Sequence, residues 1–141
     1  MNLSVIKGII LDFDGTLADS EKFYFRANRD AFRQYDHEIN EEEYYHHWSL
    51  LGEGSPGEVQ RHGLTGVDLD QVRKVSRQNY LNLVQTETIE LFPGADLLLE
   101  KLSESGYQVV IASNTRRDII NRILSNAGYE TLPVPVIGGD G

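Results

Sequence analysis

Two carboxylates separated by a single residue are the groups in this chain best placed to do chemistry. They are Asp12 and Asp14, in the string Asp12-Phe13-Asp14-Gly15-Thr16-Leu17-Ala18-Asp19-Ser20. On an extended backbone successive side chains point to opposite faces, so the two acids share a side and Phe13 turns the other way, into a core. Carboxylates that converge in a partly dry crevice repel each other, and either one takes a proton or a hard divalent cation sits between them. Magnesium suits such oxygen ligands, because it keeps waters and phosphate oxygens in its own shell. An isolated pair of this kind is more often two solvated loop residues or helix caps, so the spacing alone leaves both readings open.

The elements that must position these acids can be read on either side of them. Val5-Ile6-Lys7-Gly8-Ile9-Ile10-Leu11 is short, apolar and rich in β-branched residues, the pattern of a parallel strand covered on both faces. Gly15 opens it into a polar turn. A second apolar run, Tyr107-Gln108-Val109-Val110-Ile111-Ala112, ends in Ser113-Asn114-Thr115. Thr115 and Asp118 have the spacing of a capping box, followed by an apolar face of Ile119, Ile120, Ile123, Leu124 and Ala127 that stops at Gly128. A Ser-Asn pair after a strand is by itself usually a helix cap. Upstream, Phe92-Pro93-Gly94 predicts a turn into a helix with Ala95, Leu97, Leu98 and Leu102 on its apolar side and Gly106 at its end. A last strand is expected at Val134-Pro135-Val136-Ile137.

Between the first strand and that helix the pattern is helical. Ser20 is placed to cap a first helix bearing Phe23, Ala27, Ala31 and Tyr35, and Asn40 with Glu43 marks a second. Pro56 after Ser55 marks a third, and Asp68 starts a fourth carrying Leu69, Val72, Val75, Leu83 and Val84. Tyr44, Tyr45 and Trp48 read as core of this insertion. Leu51-Gly52-Glu53-Gly54-Ser55-Pro56-Gly57 is a glycine-rich connection that permits close backbone approach, or equally a solvated turn. His37, His46, His47 and His62 follow no metal-ligand spacing and are expected at surface or core positions.

The string DFDGTLADS resembles the first motif of the haloacid dehalogenase superfamily, DxDGTLxDS, and the strand closing on Ser113 resembles its second. The resemblance implies an α/β fold with a Rossmann-like parallel sheet core, formed by residues 1–17 and 89–141, and an inserted α-helical cap, residues 18–88. It implies a magnesium-dependent phosphatase acting through an aspartyl phosphate, with Asp12 as nucleophile, Asp14 as acid/base, and both as metal ligands. Ser113 and Asn114 would contact the phosphoryl group, which would face a helix N-terminus. Glu53, Gly54 and Ser55 would read a small phosphorylated metabolite. The family pattern continues with a lysine, commonly in a GKPxP setting, and with a strand ending in metal-holding acids. Lys7, Lys22, Lys74 and Lys101 match no such motif. The core is therefore expected to be incomplete at its C-terminus, leaving the first strand as an apolar edge that a homo-oligomer or a complementing segment would cover. On this reading the chain by itself is a candidate inactive fragment. A noncatalytic phosphate-binding or regulatory module is the alternative function. A sugar-phosphate mutase is a lesser one, because the arginine such mutases often carry in the cap is replaced here by Pro56 and Gly57.

Composition bounds the partners. Of 141 residues 13 are basic and 22 acidic, a net charge of −9 that argues against nucleic acid or an anionic membrane. The chain has no cysteine and no long apolar segment, which favours a cytoplasmic location.

Overall fold

The computed structural model describes residues 6–139, so Val5, expected in the first strand, lies outside the described residues. The chain divides into two compact units, residues 1–21 with 84–141, and residues 22–83.

The first unit is built on a parallel sheet in the order β1-β2-β3, with β1 at Gly8–Leu11, β2 at Gln108–Ala112 and β3 at Val136–Ile137. Register runs from Gly8 opposite Gln108 to Leu11 opposite Ile111, and Ile111 stands opposite Val136. Two helices belong to this unit, α5 (Ala95–Glu104) and α6 (Arg117–Asn126). The sheet and helices close over Phe13, Leu17, Leu99, Ile111, Ile120 and Ile123, all buried.

Three expectations for this unit are corrected. The first strand is not covered on both faces, and is instead the apolar edge that an incomplete core leads one to expect. It lies at the edge of the described sheet, and Ile10 is 76% exposed while Ile9 and Leu11 are half-buried. The apolar stripe of α5 runs through Ala95, Leu99 and Leu102 rather than through Leu97 and Leu98, which are exposed. Positions i, i+4 and i+7 share one helix face, and the leucine run offered two such stripes. Finally, β3 is confined to Val136–Ile137.

The second unit is helical, as its pattern predicts. It contains α1 (Glu21–Phe32), α2 (Glu41–Glu43) continuing as a π-helix over Tyr44–Leu50, α3 (Gly54–Arg61) and α4 (Leu69–Thr86). Its core gathers Phe25, Ala31, Phe32, Ile39, Tyr44 and Val72, with Trp48 packed against them. Asn40 caps the second helix as expected, its side chain accepting the Glu43 N–H at 3.1 Å. The third helix begins at Gly54, two residues before Pro56, so proline sits in the first turn rather than opening it and Ser55 is buried. Tyr45 is exposed, outside the core that Tyr44 and Trp48 share. Among the described residues, no helix is long and apolar enough to cross a membrane.

Candidate active site

In a parallel sheet ligands collect where the strands end at their carboxyl sides. Here β1 runs out into Asp12 and its neighbour β2 into Ser113, with Leu11 and Ile111 in register just before them. Neighbouring strands lie about 4.8 Å apart, so polar groups from sequence positions a hundred residues distant are brought within hydrogen-bond reach.

The turn after β1 is tight. Phe13 accepts the N–H groups of Leu17 and Ala18 through its carbonyl, both at 3.0 Å, and Gly15 donates to the Ala18 carbonyl at 2.9 Å. Gly15 has φ +71°, a left-handed conformation that side chains disfavour, which accounts for a glycine at this point of the string. Ala18 and Asp19 are tied to the segment that leads into α5, since the Asp19 N–H donates to Glu90 and the Phe92 N–H to Leu17. Phe13 is wholly buried and anchors the turn from below.

Asp14 lies at the centre of the resulting cluster. Its Oδ1 accepts the Ser20 hydroxyl at 2.8 Å. Its Oδ2 accepts the Thr115 hydroxyl at 2.5 Å and the Ser113 hydroxyl at 3.3 Å. Ser113 is oriented in turn by the Thr115 N–H, which donates to its Oγ at 3.1 Å. Three hydroxyls from two distant segments therefore fix one carboxyl group. A hydroxyl can turn from donor to acceptor, so the same cluster can hold the group ionised or protonated. Asp12 is arranged differently. It is exposed, and its Oδ1 accepts the Phe13 N–H at 2.7 Å.

The loop after β2 is fixed by β3. Ser113 donates its N–H to the Ile137 carbonyl at 3.0 Å, and Gly139 donates to the Thr115 carbonyl at 2.9 Å. A Cβ on Gly139 would overlap the Asn114 carbonyl, and one on Gly138 would come within 2.5 Å of the Arg117 nitrogen. Only a bare backbone can approach the loop this closely.

The structure brings together Asp14, Ser20, Ser113 and Thr115, while Asp12 at the strand end and Asn114 next to Ser113 are exposed. One expected helix cap is corrected here. Thr115 does not cap α6, whose cap position is Arg116, because its hydroxyl is drawn to Asp14, while Asp118 pairs with Arg116 at 2.7 Å. Ser20 directly precedes α1, and its hydroxyl donates to Asp14 Oδ1 at 2.8 Å. Arg117 donates to the Val136 carbonyl and so braces β3. Glu53, Gly54 and Ser55 belong to the helical unit, where Glu53 is held by Arg61 and by His47 Nδ1 at 3.1 Å.

The donor set suits a hard cation, since Asp12 offers an exposed carboxylate. Both Asp14 carboxylate oxygens accept hydrogen bonds from hydroxyls, and each keeps a lone pair.

The chain is similar in sequence and fold to known proteins. CbbY from Rhodobacter capsulatus is 24% identical over 128 residues, covering 85% of this chain and 56% of that protein. The crystal structure of CbbY from Rhodobacter sphaeroides in complex with phosphate superposes with a TM-score of 0.68 at 22% identity, over 96% of this chain and 64% of the other. A mutant of that protein in complex with xylulose-(1,5)-bisphosphate gives the same TM-score at 21% identity and the same coverage of both chains. The chain thus spans about 60% of the length of the curated relatives it matches. Residues 6–140 match the haloacid dehalogenase-like hydrolases, and the chain belongs to that family.

Proposed function

We propose that this protein is a magnesium-dependent phosphohydrolase that acts on a small phosphorylated metabolite through an aspartyl phosphate on Asp12. The observation that carries the reading is the division of labour between the two acids. Asp14 is held by the hydroxyls of Ser20, Ser113 and Thr115, while Asp12, two residues earlier, is exposed at the strand end. A fixed carboxyl group suits directed proton transfer, and an accessible carboxylate suits attack.

In the first step an Asp12 oxygen bonds to phosphorus as the bond to the leaving oxygen breaks, and that oxygen takes a proton from Asp14. In the second step Asp14 takes a proton from water, the water oxygen bonds to phosphorus, and the Asp12–phosphorus bond breaks to release inorganic phosphate. Magnesium, held by Asp12 and by Asp14, neutralises charge on the phosphoryl oxygens when bound. Ser113 and Asn114 bind the phosphoryl oxygens, and Ser113 can do so by turning its hydroxyl from Asp14.

The inserted helices, residues 18–88, act as a cap in which Glu53, Gly54 and Ser55 read the substrate. Phosphate and a sugar bisphosphate in the related CbbY structures support the class of ligand. The test is hydrolysis of an aryl phosphate by the purified chain with and without magnesium. Magnesium-dependent turnover that disappears in Asp12→Asn supports the reading, and turnover that persists in Asp12→Asn refutes it.

A further inference from the structure

The helical unit contains a second constellation of chemistry-bearing residues, of which short-range spacing announces only one pair. His37 follows α1, and Glu58 and His62 lie one turn apart at the end of α3. His37 Nε2 stands 2.7 Å from Glu58 Oε1, and His62 Nε2 stands 3.5 Å from the same oxygen. One ligand atom from each of the three residues lies within 4.8 Å of the other two.

The surroundings divide the Glu58 carboxylate into two halves. Its Oε2 accepts the Trp48 indole N–H at 3.0 Å and an Arg61 N–H at 2.5 Å. Its Oε1 is left facing the two imidazole nitrogens. Glu58 is wholly buried, so this orientation is fixed by packing as well as by bonding. A carboxylate whose outer oxygen is held by protein donors while its inner oxygen meets two histidine nitrogens is the arrangement of a metal ligand with its supporting shell. His62 Nε2 also lies 2.9 Å from Glu43 Oε2, at the open side of the cluster. The His37 side chain is 12% exposed and that of His62 is 34% exposed, so an ion could enter past His62.

Charge gives an independent argument. Glu43, Glu53 and Glu58 stand against the guanidinium of Arg61 and the imidazoles of His37, His47 and His62, which leaves the cluster with two negative charges when the three imidazoles are neutral. Two protons on the histidines would balance that excess, and so would one divalent cation. Neutral imidazole with carboxylate is a donor set suited to zinc and its neighbours rather than to magnesium.

We propose that His37, Glu58 and His62 form a binding site for a divalent transition metal of the zinc type, separate from the Asp12 and Asp14 acids. The metal takes the place of the hydrogen shared between His37 Nε2 and Glu58 Oε1, which moves to Nδ1 of the neutral ring. It ties the segment after α1 to α3.

The experiment is calorimetric titration of the full chain with zinc in millimolar magnesium, which keeps hard-cation sites filled, together with visible absorption of the cobalt-loaded chain. One equivalent of zinc should bind saturably, and cobalt should give the intense visible bands of a low-coordinate nitrogen and oxygen site. His37→Gln and His62→Gln should each weaken zinc by more than about 100-fold, beyond the 10–100-fold that changes to outer partners cause. His46→Gln, on an exposed neighbour, should bind as the wild type does. If His37→Gln fails to fold by circular dichroism, His62→Gln decides, because that side chain is one-third exposed. Absence of saturable zinc binding, or binding that survives His62→Gln unchanged, overturns the proposal.

Discussion

Replacing Glu58 by glutamine should cost the protein about 3 kcal/mol of stability, a large fraction of the 5–15 kcal/mol typical of a folded domain. Glutamine preserves the shape of the wholly buried side chain and removes only its charge. Three hydrogen bonds are affected, from His37, Trp48 and Arg61. A bond to a charged group contributes roughly 1.5–3 kcal/mol and a neutral one roughly 0.5–1.5, so each loses about 1 kcal/mol. Burial by itself pushes the Glu58 carboxyl up, but the hydrogen bonds from His37 and Trp48 and the charges of Arg61 and His62 outweigh it and hold the group below its ordinary value. The charged form is therefore the one the fold favours. The sum falls at the lower end of the 3–5 kcal/mol seen when one partner of a buried pair is removed. The assay is urea unfolding followed by fluorescence, for which the chain's single tryptophan, Trp48, is bonded directly to Glu58. Because the folded value lies below the unfolded one of about 4.3, the advantage over Glu58→Gln is complete at neutral pH. It shrinks as pH falls through the folded value. A difference under about 0.5 kcal/mol at neutral pH, or one that grows as pH falls below about 4, would refute the reasoning.

Three further outcomes follow from other parts of the molecule. Asp14→Asn should release a single-turnover burst from an activated aryl phosphate, whose leaving group needs no proton, and then stall; steady turnover measured by stopped-flow absorbance would deny Asp14 its role in the second step. Gly139→Ala forces a Cβ onto the Asn114 carbonyl and should destabilise by about 1–3 kcal/mol in chemical denaturation, where a neutral result would mean that the loop after β2 yields freely. Ile10→Lys at the exposed edge strand should change stability by less than about 0.5 kcal/mol, and a loss well above 1 kcal/mol in the same assay would mean that this face is covered in solution.

The parts of this fold that were legible in the sequence are those governed by neighbours in the chain. Apolar runs ending in Asp12 and in Ser113, the Asn40 cap and the apolar face of α6 are local patterns, and each forms within the stretch its pattern marks, the first strand only over Gly8–Leu11. The departures arise where distant segments compete for the same group. Thr115 reads as a cap from its spacing to Asp118, but Asp14, 101 residues earlier, claims the hydroxyl. The leucine run of α5 admits two stripes, and only packing against the sheet selects Ala95 and Leu99. His37 and Glu58 are 21 residues apart, so only the Glu58-His62 pair, one helical turn apart, carried any local signal of that cluster.

The central claim is that Asp12 carries the phosphoryl group, and the most direct measurement is mass-spectrometric mapping of the chain after brief reaction with an aryl phosphate and magnesium. Asp14→Asn should serve as the trap, since it forms the intermediate but cannot turn it over. The account predicts one hydroxylamine-sensitive phosphoryl group on Asp12, absent from Asp12→Asn. Turnover of the aryl phosphate with no label on Asp12, or with the label on another residue, would contradict it.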